Sequence, residues 1–353
     1  MQAPAYAADP IAAGAIRWDA WYSRTDNSVY AQNSLSSAKY LRRAPSHCDI
    51  TPNVQVICEG SQAVLDAEIR AAVRGGLDYW AFCWYAPGSS FRTAWNFYQT
   101  SSHRDLIKWC GIVPLHLLGS LPFKSGKWKP GIEEWAGYMR QPHYHKVAAG
   151  TAARPLLYIL WDANHLHWYF DNRLTHVREA FELLRHLAAQ SGLGSPYIVI
   201  LRGPEGADIA RATGADAISS YISGFQAKDM GTYADLAGQT QRYWEKLRQS
   251  SVSVVPIAMV GWDTRPRQER PVPWDHGRKA NPNPTRYFAL ATPEELAAHL
   301  RTAVNYINGN PKTCPARTLL IYSWNECDEG GGLIPTKGDP EGAYLAAIRD
   351  VLS

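Results

Sequence analysis

Two glutamates three residues apart, Glu326 and Glu329, stand in the segment Ser323-Trp324-Asn325-Glu326-Cys327-Asp328-Glu329-Gly330-Gly331. The apolar run Thr318-Leu319-Leu320-Ile321-Tyr322 comes directly before it. This reads as a buried strand that holds Glu326 rigidly at its end. The glycine-rich loop beyond it lets Glu329 turn back toward the same cavity. A carboxyl pair at the mouth of a barrel suits glycosidic bond cleavage. One carboxyl protonates a leaving oxygen, and the other manages the second proton or the developing positive charge. The competing reading is an acidic surface turn.

The remaining elements must position that pair. Strand-like runs at 13–18, 79–85, 111–117, 156–161, 197–201, 217–221, 252–260 and 318–324 are short and apolar, as expected of parallel strands buried on both faces. Helix-like segments alternate with them. Residues 61–74 start with a Ser cap and end at Gly75-Gly76, and 175–190 place Val177, Phe181, Leu184 and Leu187 at helical spacing. Residues 292–308 open Thr292-Pro293-Glu294-Glu295, a cap with Pro in the first turn. Eight such units predict an α/β fold, a (β/α)8 TIM barrel. A single domain is expected over residues 13–353, after an extension at 1–12. Long insertions at 23–60, 121–131 and 261–291 all follow strands, on the face where barrel sites lie.

Each strand end carries an aromatic, ionisable or amide residue. The candidates for binding substrate are Asp19 and Trp21, Trp84 and Tyr85, His116, Trp161 and Asp162, Arg202, Tyr221, then Trp262, Asp263 and Arg265, and finally Asn325. Strand ends meet water and turn polar in any barrel, but the repeated Trp beside an acid favours a built cleft. The aspartates can clamp hydroxyls by charge-assisted hydrogen bonds, or serve as structural caps. Asn325 can orient Glu326 or satisfy backbone at the strand end. Arg265 can bind substrate or pair with Asp263.

At 353 residues and 46% hydrophobic, the chain can bury a large core. A net charge of +4, evenly spread, excludes nucleic acid or an anionic membrane as the main partner. No apolar stretch approaches the roughly 18 residues of a membrane helix. Fourteen Trp and nineteen Tyr favour a carbohydrate partner, because flat aromatic faces stack on sugar rings. None of the six cysteines forms a CxxC pair, so a structural zinc site is not expected; Cys48 and Cys58 flank a short polar segment, and the sequence leaves open whether they form a disulfide. Ala5-x-Ala7 resembles the end of a secretory cleavage site, which favours a secreted or periplasmic protein.

Rival chemistries are weaker. Asp162, His165 and His167 are ligand types at a spacing that matches no standard metal helix. No Gly-x-Ser-x-Gly elbow, Gly-x-Gly-x-x-Gly or P-loop is present. Cys327 as a nucleophile has no neighbouring histidine in sequence.

Trp324-Asn325-Glu326-x-x-Glu329-Gly330 resembles the aromatic-Asn-Glu-Trp-x-Glu-Gly signature of glycoside hydrolase family 99 and the WbsX-like proteins. Gly76-Leu77-Asp78-Tyr79-Trp80-Ala81-Phe82 is similar to their second strand, and His143-Tyr144 through Ile159 to the approach to their fourth. Gly261-Trp262-Asp263-Thr264-Arg265 resembles their loop after the seventh strand. The resemblance spans about residues 13 to 340. It implies a (β/α)8 barrel that cleaves within α-mannose-containing glycans with retention. It also implies Glu329 as general acid/base, with Glu326 deprotonating the substrate's own 2-hydroxyl, which then attacks the anomeric carbon. The sequence departs from the family at Cys327, where the motif has Trp, and at Leu333-Ile334, where the family has an acid. The expected protein is a glycoside hydrolase without metal or organic cofactor. The alternatives are a non-catalytic glycan-binding barrel and a metal-dependent hydrolase.

Overall fold

A computed structural model of the chain describes residues 10–25, 27–149, 153–223, 229–275 and 279–352. The Ala5-x-Ala7 segment lies outside the described residues. Eight parallel strand positions form one sheet: β1 Ala12–Arg17, β2 Tyr79–Cys83, β3 Lys108–Pro114, β4 Ala153–Leu160, β5 Tyr197–Leu201, β6 Ala217–Ser219, β7 and β8 Thr318–Tyr322. The seventh is interrupted. Ser253–Val254 pairs with β6, and Ile257–Met259 pairs with β8. Pro256 lies between the halves and has no N–H for the ladder, but its carbonyl still accepts from Leu320 N at 3.0 Å. Through this strand the sheet closes on itself, and a short strand Lys146–Ala148 pairs antiparallel with the start of β4.

The helices follow the expected alternation. Gln62–Arg74 is capped by the Ser61 side chain. Leu174–Gln190 buries Val177, Phe181 and Leu184. Pro293–Gly309 starts in a capping box between Thr292 and Glu295. One expectation shifts. The third strand begins at Lys108 and stops at Pro114, and Leu115–Gly119 is already helical. The run Leu115-His116-Leu117-Leu118 contains good helix formers, and Pro114 sits just before it, where its missing N–H costs nothing. His116 is therefore on a helical turn, not at a strand end.

The insertion after β1 is tied down by a Cys48–Cys58 disulfide, with Cα atoms 4.2 Å apart. The buried Gln32 side chain donates to Ala20 O at 3.0 Å and accepts from Cys58 N at 3.1 Å, which joins the insertion to the first strand's exit. No helix among the described residues is long and apolar enough to cross a membrane.

The lower interior of the barrel is filled by Tyr79. Its hydroxyl meets the Tyr158 hydroxyl at 2.9 Å and Thr318 Oγ1 at 3.0 Å, reaching from β2 to β4 and β8. This is possible because Gly14 of β1 has no side chain. A Cβ there would lie 2.1 Å from the Tyr79 ring. Gly14→Ala should lower unfolding stability by about 1–3 kcal/mol, the usual cost of overpacking. A urea unfolding curve identical to the parent would show that the ring does not need that space.

Candidate active site

The two glutamates converge, and short-range contacts explain how. Beyond β8 the chain continues as Asn325–Glu326, which pairs antiparallel with Gly331–Gly332. Residues Cys327–Glu329 make one tight turn, closed by Gly330 at φ +74°. Ser323 Oγ accepts from Glu326 N at 2.8 Å and donates to Gly331 O at 2.6 Å, so both sides of the turn are pinned. The Asn325 side chain accepts from Trp18 N at 2.7 Å and donates to Asp19 at 3.1 Å. Gly261 carries the next loop close over the turn, since a Cβ there would meet Gly330 O at 2.2 Å.

Glu326 and Glu329 open into one cavity of about 450 Å³ at the C-terminal end of the barrel. Its aromatic lining comes from Trp18, Trp84, Tyr85, Phe91, Trp262 and Trp274. Tyr221 donates its hydroxyl to Glu326 at 2.5 Å. Tyr322 donates to Glu329.

Arg267 binds the carboxylates together. It lies on the short helix Arg265–Glu269 of the loop after β7. Its Nε donates to Asp328 at 2.6 Å, one terminal nitrogen reaches Asp328 at 3.1 Å and Glu326 at 3.2 Å, and the other donates to Glu329. The guanidinium lies 5.0 Å from the Trp18 ring centre and 5.8 Å from that of Trp274.

Burial and the nearby Glu329 charge push the Glu326 carboxyl up to about 8, with Arg267 opposing. Burial also raises Glu329, again against Arg267. Both shifts act in the same direction, toward a proton held by the pair. Each glutamate accepts from one tyrosine and from Arg267, and the Arg267 contact is the longer one on Glu326, at 3.2 Å.

Of the residues expected from sequence to bind substrate, Trp84, Tyr85, Tyr221 and Trp262 line the cavity. The others do not. Asp19 is buried against Arg17 at 2.9 Å, and burial pushes it up to about 6 despite that partner. Trp21 is fully buried, with its ring N–H on Asn325 O at 2.6 Å. Asn325 is the scaffold just described. Asp263 is fully buried between Arg265, at 2.6 Å, and Arg43, which together hold it below the usual carboxylate range. Arg265 also covers the Tyr287 ring at 3.5 Å. Trp161 is buried in the core, and Arg202 is exposed. Asp19, Asp263, Arg265 and Asn325 are each held by a protein partner instead.

Asp162 caps helix Ala163–Phe170 by accepting from Asn164 N at 2.7 Å. His165 meets His116, ring nitrogen to ring nitrogen, at 3.3 Å, and burial pushes His116 down to about 4. His167 is exposed beside Trp168. Asp162, His165 and His167 thus do not converge. Among the described residues no group of three His, Cys, Asp or Glu is placed to hold a metal. Cys327 is buried, its thiol is pushed up by burial, and it faces a separate cavity of about 230 Å³.

Sequence reasoning missed Arg267, Trp18 and Trp274 as parts of the site. Arg267 stands in the same loop as Arg265, two residues on. Helical spacing turns the first guanidinium to Asp263 and the second into the cavity.

Raised carboxyl groups have a consequence for stability. The folded state holds protons that the unfolded chain releases, so stability falls as pH rises from the ordinary 4.5 of Glu326 toward 8. Glu326→Gln should flatten the upper part of that slope, read from urea midpoints across the pH range. An unchanged slope would mean Glu326 titrates normally.

No protein-family model matches the chain, and no curated protein matches it in sequence. Solved structures do. A structure of the GH99 endo-alpha-mannosidase from Bacteroides thetaiotaomicron, in complex with Bis-Tris-propane, matches with a TM-score of 0.60 at 11% identity, covering 96% of each chain. A second structure described as the same enzyme gives 0.57 at 12% identity, covering 96% of this chain and 95% of that one. At this identity the likeness is one of fold, so the family resemblance read from the sequence is matched across nearly the whole chain at the level of the (β/α)8 barrel.

Proposed function

We propose that the protein is a glycoside hydrolase acting on a polysaccharide or oligosaccharide. The observation that carries this reading is the buried pair Glu326 and Glu329 in an aromatic-walled cavity at the barrel's C-terminal end. Such a pair supplies both an acid and a base near neutrality. The fold shared with an endo-alpha-mannosidase of family 99 supports it. The Cys48–Cys58 bridge supports an exported setting.

The chemistry follows from the resemblance. Glu326 takes the proton of the substrate 2-hydroxyl, whose oxygen attacks the anomeric carbon. Glu329 gives its proton to the departing oxygen. Water then opens the 1,2-anhydro sugar, returning one proton to Glu329 while Glu326 returns the other to the sugar. Two backside attacks retain configuration. The scissile bond must be 1,2-trans, with a free 2-hydroxyl. For Glu329 to hold the proton in the complex, Arg267 has to loosen from it as the sugar enters.

The donors on Glu329 favour a second allocation, with Glu326 as the acid and Glu329 as the base. The variants separate the two. Glu329→Gln should lower turnover of a natural glycan by about 10²–10⁴-fold, with a far smaller loss on substrates carrying very good leaving groups. If Glu326→Gln shows that rescue instead, the roles are exchanged. Near-normal activity of both on a natural glycan would end the hydrolase reading.

Binding offers an independent check. Trp262→Ala should weaken glycan binding, and Trp161→Ala, away from the cavity, should not. Calorimetry showing the reverse would move the cleft elsewhere.

A further inference from the structure

Eight strands in a closed barrel place each strand opposite the one four positions on. The carboxylates and Arg267 follow β8 and β7, so the cavity wall facing them comes from β4 and β3. That wall is aliphatic. Ile112 and Pro114 of β3 and Leu160 at the end of β4 line it, and Ile222 extends it from the loop after β6. None of these side chains can bond a hydroxyl, and Pro114 has no N–H either. The polar residues that could have served there point elsewhere, with His116 against His165 and Asp162 capping a helix. The cavity's charged groups, Arg267, Glu326 and Glu329, gather on the opposite side with the Tyr221 hydroxyl, and Asn27 and the tryptophan edges complete the polar lining outside the aliphatic wall.

A buried sugar hydroxyl needs a partner, and a site without one discriminates against it. Aliphatic side chains also differ from aromatic ones. They offer no flat face for a ring, but they pack well around a methyl group. We propose that the sugar seated beside the two glutamates is a 6-deoxyhexose, with its methyl group received by the wall of Ile112, Pro114, Leu160 and Ile222. This rests on the hydrolase reading of the same cavity and adds the class of sugar to it. The reacting edge of the ring, with its 2-hydroxyl and anomeric carbon, faces the charged side. The far edge, bearing C5 and its substituent, faces the aliphatic side.

The test compares matched 1,2-trans pairs that differ only at C6. These are nitrophenyl α-L-rhamnoside against α-L-mannoside, β-D-fucoside against β-D-galactoside, and β-D-quinovoside against β-D-glucoside. The corresponding methyl glycosides are titrated into the intact protein by calorimetry, so that binding is read whether or not an aryl glycoside is cleaved. In at least one pair the 6-deoxy sugar should be preferred by about 10- to 100-fold in kcat/KM or Kd, the range for one substituent in an apolar pocket. Leu160→Asn should shrink or invert the preference, and Ile222→Asn should do the same from the other side of the wall. Equal or tighter binding of every hydroxymethyl sugar would overturn the 6-deoxy assignment and leave the hydrolase reading standing. Binding by none of the sugars would remove both.

Discussion

One buried guanidinium holds this site together. Arg267 contacts Glu326, Asp328 and Glu329, none of them more than slightly exposed. Three carboxylates in so small a volume repel one another, and burial penalises each charge. Without a cation among them they would have to protonate or separate. Arg267 spends its fork on Asp328 and reaches one glutamate with each terminal nitrogen. The same contacts that let the acids coexist also bias their proton. Removing one partner of a buried charge pair costs about 3–5 kcal/mol in general, so stability and chemistry are linked through this one side chain.

A second charged layer lies below the first. Arg17 is wholly buried between Asp19, at 2.9 Å, and Glu68, at 2.7 Å, with the Trp80 ring 4.3 Å away. Asp19 in turn receives Asn325, and Glu68 receives the Tyr22 hydroxyl and the Trp324 ring N–H. This network joins the exit of β1, the helix Gln62–Arg74 and the end of β8. It fixes the backbone from which Glu326 projects, and Arg17, Asp19, Glu68 and Asn325 do not themselves line the cavity. Several residues that look like substrate ligands therefore position the glutamate pair from behind.

The cavity divides into charged and apolar sides because of closure. In an open sheet, β3 and β4 would lie far from β8. In the barrel they face it across the mouth. The aromatic residues occupy the arc between, with Trp18 stacked on Phe91 at 5.3 Å and Tyr85 stacked on the same ring at 4.8 Å. Two of the polar tips satisfy one another, since the Trp18 ring N–H donates to the Tyr85 hydroxyl at 2.7 Å. This arc presents flat aromatic faces to the cavity.

The sequence alone determined the architecture and the acid pair. Continuous apolar runs of strand length, helices with Ser61 and Thr292 caps, and a strand running into Asn325-Glu326 are local signals, and each formed the element its neighbours in the chain specify. The Cys48–Cys58 bridge and the return of Glu329 through Gly330 are also short-range. Which strand-end residues face the cavity was not local. Asp19, Asp162, Asp263 and Arg265 have the right chemistry and adjoin strand ends, yet each found a partner nearer than the axis. Their direction depends on strand twist, on the register of the closed sheet, and on the charges that other loops bring alongside. Arg267 meets acids about sixty residues away in the chain only because the barrel closes through β7 and β8. Only the tertiary structure could decide that, because the energy of a buried charge is set by what surrounds it in space.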